Sequence, residues 1–351
     1  MPTPPPPNYP LKFEPIYKEK VWGGRTLEAL GRPLPGDQDT LIGESWELVD
    51  LAQTSASGGG GDAEHSTVTN GPLAGQSIHD VIAADKAGLI GSVPLSDAGG
   101  FPLLLKFLDA RQNLSVQVHP SPEYAKQHPE ANLKSEAWYV VDCEPGAKIY
   151  KGITQGTTAE QMREALKHNT DDAVVPLLVE APVKPGDCHY LPSGTCHALG
   201  AGVLVAEVQT PSDTTFRVYD WGRTGRELHV EQAIECMTFG PADAGDAEDR
   251  ATVDTGEGIE ATRLVRTEYF RMDRLTAPAG ADGEIGRGLP RLWMVLDGAG
   301  ELACDAEAKT LFARGETLLL PASMTGGRWS IIEDATILEV TFPQAKEGGI
   351  A

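Results

Sequence analysis

Apolar residues along this chain come in short bursts. "WELVD" (46–50), "FPLLLKFL" (101–108), "LSVQVH" (114–119), "AWYVV" (137–141), "CHYLP" (188–192) and "GVLVAEVQ" (202–209) come first. "RLWMVL" (291–296), "ETLLLP" (316–321) and "ATILEVTF" (335–342) follow later. Each burst is continuous, or alternates apolar with polar, and Gly, Pro or Asp punctuates it. That pattern predicts strands, and so many short strands predict a mainly β fold, a sandwich or barrel. Helical patterns are confined to three stretches, 77–91, 157–169 and 227–237. The first opens on Ser77 and the second on Thr157 or Thr158, residue types suited to a helix N-cap.

Part of the pattern repeats. "KPGDCHYLPSGTCHA" (184–198) and "ARGETLLLPASMTGG" (313–327) share a frame: Gly186 with Gly315, Asp187 with Glu316, Leu191 with Leu320, Pro192 with Pro321. Upstream, "SEAWYVVD" (135–142) matches "PRLWMVLD" (290–297). Arg291 then stands where the first copy has Glu136, and Gly326 where it has His197. The chain therefore reads as two similar β-units, the second keeping the scaffold without its polar residues. The expected division is a first domain at 1–240, a linker at 241–258 and a second domain at 259–351. The linker lies in the acidic text "GPADAGDAEDRATVDTGEG" (240–258), which is poor in large apolar residues. "TSASGGGGDAEHST" (54–67) reads as a flexible surface loop, and the proline run near the start as an extended arm.

Charge and cysteines narrow the partners. The 51 acidic residues outnumber 29 basic ones for a net charge of −22. That argues against nucleic acid and anionic membrane surfaces, and an anionic substrate would need its own local cations. No run approaches the roughly 18 apolar residues of a membrane span. The N-terminus lacks the basic and apolar regions of a secretory signal. Five widely spaced cysteines without a CxxC pair favour a reduced, cytoplasmic protein.

The polar residues confined to the first copy are the candidates for chemistry. In "SVQVH", Gln117 and His119 lie two apart, on one face of a strand; in "KSEAW", Lys134 and Glu136 do the same. His197 follows the turn text "LPSGT". Two imidazoles and a carboxylate suit zinc or another first-row divalent ion, and a Gln oxygen is a weaker fourth donor. Such a set leaves room for water or substrate. Each residue also has a plainer reading: a hydrogen-bonded core His, a Glu paired with Lys134, a turn. The residues alone leave both readings open.

Taken together, "FPLLLKFLDARQNLSVQVHPS", "LKSEAWYVV", "GDCHYLPSGTCHALG" and "VAEVQTPSDTTFRVYDWGR" resemble the type I mannose-6-phosphate isomerases, most closely their short bacterial form. "FEPIYKEKVWGG", "IGESWELVD" and "RTEYFRMDRL" extend the resemblance over about residues 11–343. It implies tandem cupin-like (jelly-roll) β-barrels with a short helical segment. It implies one zinc per chain, held by Gln117, His119, Glu136 and His197, and interconversion of mannose 6-phosphate and fructose 6-phosphate. Family active-site positions match Lys106, Ser115, Lys134, Glu207 and Arg217. Arg223, six residues past Arg217, sits where a basic phosphate contact is expected. Trp22, Trp46 and Glu47 match positions near the site.

On that resemblance Glu207 is expected to move the proton through a cis-enediol(ate), with Lys134 and Arg217 neutralising charge or aiding ring opening. Ser115, Lys106 and Arg223 are expected on the phosphate, and solvated surface charge is the plainer alternative for Arg223 and Arg226. The partner implied is a small phosphosugar, and the chain is expected to be a monomer or weak homodimer. Two departures stand out. The long helical insertion of larger members is missing, and Ser212-Asp213-Thr214 stands where many relatives read "SDN". The alternative is a non-catalytic metal-containing cupin that binds a sugar or sugar phosphate.

Overall fold

The computed structural model describes residues 6–52, 63–242, 251–256, 258–286, 288–304, 309–324 and 326–343. The glycine run at 58–61, most of the proline arm and positions 243–250 of the expected linker lie outside them.

The chain forms two compact units that interleave in sequence: 15–65 with 96–245, and 1–14 with 66–95 and 246–351. Strands of three residues or more are numbered in chain order. The first unit holds β1 (Ile16–Gly24), β2 (Ile42–Leu48), β3 (Leu104–Ala110), β4 (Val116–Val118), β5 (Glu136–Cys143) and β6 (Lys148–Ile153). It continues with β7 (Leu178–Pro182), β8 (Cys188–Leu191), β9 (His197–Leu199), β10 (Val203–Gln209) and β11 (Phe216–Tyr219). These make a six-stranded sheet, β8-β5-β10-β3-β2-β1, and a five-stranded sheet, β7-β6-β9-β4-β11. Leu108, Val140, Ile149, Leu199 and Val205 pack together between them. The other face of the five-stranded sheet packs Val118, Ala198 and Phe216 against two helices, Ala159–His168 and Val230–Cys236. Both faces of β10 are buried, which is why its apolar text is nearly continuous.

The predicted helices form, with their caps. Ser77 caps Ile78–Ile90 by accepting from the Asp80 N–H, and Thr158 with Gln161 makes a capping box at Ala159–His168. The third helix is shorter than expected. Residues 227–229 are committed to β11 instead: the Glu227 carbonyl accepts from the Arg217 guanidinium, and the His229 N–H donates to the Arg217 carbonyl.

The second unit holds β12 (Thr252–Gly256), β13 (Ile259–Arg266), β14 (Arg271–Ala277), β15 (Asp282–Glu284), β16 (Arg291–Ala303), β17 (Lys309–Ala313), β18 (Thr317–Leu320) and β19 (Arg328–Thr341). They form one antiparallel sheet around Trp293, Val295, Phe312, Leu318 and Ile337. Its register repeats that of the first unit. Glu136 and Trp138 pair with Leu191 and His189; Arg291 and Trp293 pair with Leu320 and Leu318. Even one side-chain bond repeats. The Trp138 indole donates to Glu207 (2.7 Å), and the Trp293 indole to Glu339 (2.9 Å). In the second unit Glu339 is held by Arg291 at 2.8 Å, the residue standing in place of Glu136.

Segments early in the chain belong to this unit. Leu11 pairs with Leu319, and the Gly88 and Leu89 carbonyls accept from the Ser323 and Ala322 N–H groups. Within the expected linker, Thr252–Gly256 is a strand paired with β13. Neither feature is encoded in the local hydrophobic pattern, since each depends on strand or helix partners outside its own stretch.

Candidate active site

The interior-facing residues of three adjacent strands run from apolar to charged. Along β3 the row is Ala110, Leu108, Lys106; along β10 it is Val203, Val205, Glu207; along β5 it is Val140, Trp138, Glu136. The antiparallel register sets Glu207 beside both Lys106 and Trp138. On the facing sheet, Gln117 of β4 lies between His197 of β9 and Arg217 of β11. Strand alternation thus gathers these charged side chains at one end of the interior.

His119, Glu136 and His197 form the tightest group there, with one ligand atom from each lying within 4.8 Å of the others. All three are at most 1% exposed. The outer nitrogen of each imidazole is tied to a carbonyl, His119 Nδ1 to Thr214 (3.0 Å) and His197 Nδ1 to Thr195 (2.8 Å). Both Nε2 atoms therefore face Glu136, at 3.5 Å and 3.0 Å. Anchoring one ring nitrogen to orient the other is how metal-binding histidines are set. Burial, then the Lys134 cation, pushes His119 down to about 3, so its imidazole is neutral at neutral pH. Burial opposes the Glu136 charge, but Lys134 and the two imidazoles hold its carboxyl well below the ordinary range. Neither Glu136 oxygen takes part in a well-directed hydrogen bond. A buried carboxylate facing two imidazole nitrogens fits a divalent cation. The Gln117 amide lies 3.4 Å from His197 Nε2, and a half-turn of that amide presents its oxygen at the same point.

An open cavity with about 760 Å³ of empty space, its mouth included, adjoins the group. Gln117, Lys134, Glu207, Lys106, Ser115 and Arg217 all line it. Lys134 Nζ sits 2.8 Å from Glu136 and 3.1 Å from His119. Burial works against its charge, yet Glu136 and Glu207 raise its pKa above the ordinary lysine value. Glu207 is raised as well, which for a carboxyl disfavours the charge: burial and the Glu136 charge raise it, with Lys134 and Lys106 opposing. Arg223 does not line the cavity. Its guanidinium turns to the Asn113 carbonyl and the Asp220 carboxylate, both at 2.8 Å. Arg226 lines the cavity instead. Trp22 and Trp46 are also on the wall, whereas Glu47 lies on the other face of β2, paired with Arg32 at 2.6 Å.

The profile described as "Phosphomannose isomerase type I, catalytic domain" matches residues 11–145. A mannose-6-phosphate isomerase of Bacillus subtilis is 35% identical over 321 residues, covering 89% of this chain and 93% of that protein. The chain belongs to the type I phosphomannose isomerase family. The crystal structure of a mannose 6-phosphate isomerase from Bacillus subtilis superposes with a TM-score of 0.80 at 31% identity, over 95% of this chain and all of the other. A zinc-bound mannose 6-phosphate isomerase shares the fold (TM-score 0.72, 17% identity), over 95% of this chain and 99% of that one. As members of that family are isomerases, so is this chain.

For this isomerase the motifs in the sequence did not point to Lys20 and Glu44, which line the same cavity. Glu44 lies between Lys20 (3.1 Å) and Lys106 (3.6 Å) and accepts from the Trp46 indole at 2.7 Å. A signal exists: Glu44 is two residues before Trp46, so on the same strand face. Lys106 is nearly equidistant from Glu44 and Glu207, the latter at 3.7 Å. Burial resists the Glu44 charge, but Lys106 and Lys20 lower its pKa from 4.5 to about 2. A depressed carboxyl adds stability above its unfolded pKa and loses it as pH falls toward the folded value. Melting temperature should therefore fall less steeply from pH 4.5 toward 2 in Glu44→Gln than in the wild type. Equal slopes in the two proteins would remove Glu44 as a contributor.

Proposed function

We propose that the chain is a zinc-dependent aldose–ketose isomerase interconverting mannose 6-phosphate and fructose 6-phosphate, with one metal held by Gln117, His119, Glu136 and His197. The observation carrying this reading is a buried carboxylate, Glu207, on the wall of a cavity that adjoins a two-imidazole, one-carboxylate donor set. That donor set suits zinc and leaves a position for substrate. A metal held there would supply Lewis acidity to polarise the carbonyl of the open-chain sugar.

The chain's own residues do the rest. Glu207 takes the proton from one carbon and returns it to the other, through a cis-enediol(ate). Its raised carboxyl is matched to that exchange better than an ordinary one. The Trp138 hydrogen bond fixes its orientation. Lys134 and Arg217 offset negative charge developing on the sugar oxygens. Ser115 and Lys106 contribute polar contacts to the rest of the substrate. A cytoplasmic setting is supported by five cysteines that are all free thiols. Supplied with zinc and mannose 6-phosphate, the purified protein should form fructose 6-phosphate in a coupled assay. Metal-loaded protein without turnover would refute the proposal.

A further inference from the structure

The cations along the cavity differ in how they are compensated. Lys20 and Lys106 share Glu44, and Lys134 is paired with Glu136. Arg223 and Arg226 instead share the single carboxylate of Asp220. Arg223 uses Nε and Nη2 on Asp220, and Nη2 also on the Asn113 carbonyl. Arg226 holds Asp220 through Nε and Nη2, the former at 2.8 Å, which directs its remaining Nη1 elsewhere. Arg217 gives Nη1 to the Glu227 carbonyl, and its Nε is buried without a partner. Two guanidiniums, those of Arg217 and Arg226, thus reach the cavity wall, and Arg226 does so with Nη1 not engaged by Asp220.

The loop that carries Arg223 and Arg226 is braced. Trp221 takes a left-handed backbone (φ 54°), a conformation a bulky side chain adopts only when its surroundings impose it. Its indole donates to the Leu114 carbonyl at 2.6 Å, and its ring leans on Tyr150 and Tyr219. Leu114 precedes Ser115, whose side of β4 continues from Gln117. Since Gln117 pairs with Arg217 and Val116 with Tyr219, Ser115 lies beside the start of the Asp220 loop. From Gln117 to Ser115 is about 7 Å of strand, comparable to an open six-carbon chain.

We infer that Arg226, with Ser115, anchors the phosphate of the substrate, and that Arg223 is a strut holding the loop. The inference rests on the proposed phosphosugar reading. It divides the site in two. Gln117 and the metal donors face the reacting carbons, and Arg226 takes the far, dianionic end, where a planar guanidinium binds phosphate oxygens in pairs.

The test is steady-state kinetics on wild type, Arg226→Gln, Arg226→Lys and Arg223→Gln, with inorganic phosphate as competing probe. Arg226→Gln should raise KM for mannose 6-phosphate roughly 10- to 100-fold, with a much smaller effect on kcat. It should weaken phosphate inhibition in parallel. Arg226→Lys should fall between it and wild type, and Arg223→Gln should shift KM less than Arg226→Gln. If Arg226→Gln does not fold, Arg226→Lys decides, and a wild-type KM for it overturns the inference. So does a larger KM effect from Arg223→Gln. Were the wild type inactive on mannose 6-phosphate, the functional proposal would fail separately. The anchor would then stand or fall on whether inorganic phosphate raises the melting temperature of wild type more than that of Arg226→Gln.

Discussion

His119→Ala is expected to empty the metal centre and cut kcat/KM on the order of 10³-fold or more, beyond the roughly 10- to 100-fold cost of losing an outer partner of a metal ligand. The reason is local. His119 is 1% exposed, its Nδ1 is anchored to Thr214, and its Nε2 faces Glu136. Burial and Lys134 keep the ring neutral, so a lone pair is available near neutral pH without first expelling a proton. Alanine leaves one imidazole and one carboxylate, with Gln117 as a weak third donor. Elemental analysis after dialysis, alongside the coupled assay, reads the two effects separately, and circular dichroism checks the fold. The same change at His128, which is partly exposed and stacked on Tyr124, should leave metal content and rate alone. A His119→Ala protein holding a full equivalent of metal would exclude this residue as a ligand.

Glu207→Gln should keep the metal and the fold and lose roughly 10²- to 10⁴-fold in kcat, the usual worth of a positioned general base. The substitution is nearly isosteric, and the amide oxygen can still accept from Trp138. What it removes is the capacity to carry a proton. The sign of the pH dependence follows from the same carboxyl. Burial, then the Glu136 charge, raises it, so in wild type kcat/KM should climb with pH through a limb above the ordinary value of 4.5. That limb should disappear from the residual activity of the variant. Substrate binding, followed by thermal stabilisation, should largely persist, which separates a lost base from a lost site. A kcat within a few-fold of wild type, with the acid limb intact, would assign the proton transfer to another group.

Much of this site is legible in the order of the amino acids. Gln117, His119, Lys134 and Glu136 sit at strand spacing, and period-two alternation dictates that each pair shares a face. The repeat is equally legible, since Trp138 and Trp293 anchor matching text, and the register of both units follows that alignment. Other features escape for physical reasons. Glu47 and Glu44 both flank Trp46, and choosing between them requires knowing which face of β2 turns inward. Arg223 and Arg226 lie three apart in a loop with no periodicity. Which one reaches the cavity depends on Asp220, Asn113 and the strained backbone at Trp221.

The strand-rich fold, the tandem repeat and the donor types of the metal group follow from the amino-acid order alone, because they depend on local alternation and residue chemistry. Three other features come from the folded chain. The helix Ile78–Ile90 and Leu11–Lys12 dock with the C-terminal strands, Glu44 stands beside Lys106, and Arg226 rather than Arg223 lines the cavity. Each of these rests on contacts between residues far apart in the chain, or on the path of an irregular loop, and neither leaves a periodic trace in the amino-acid order.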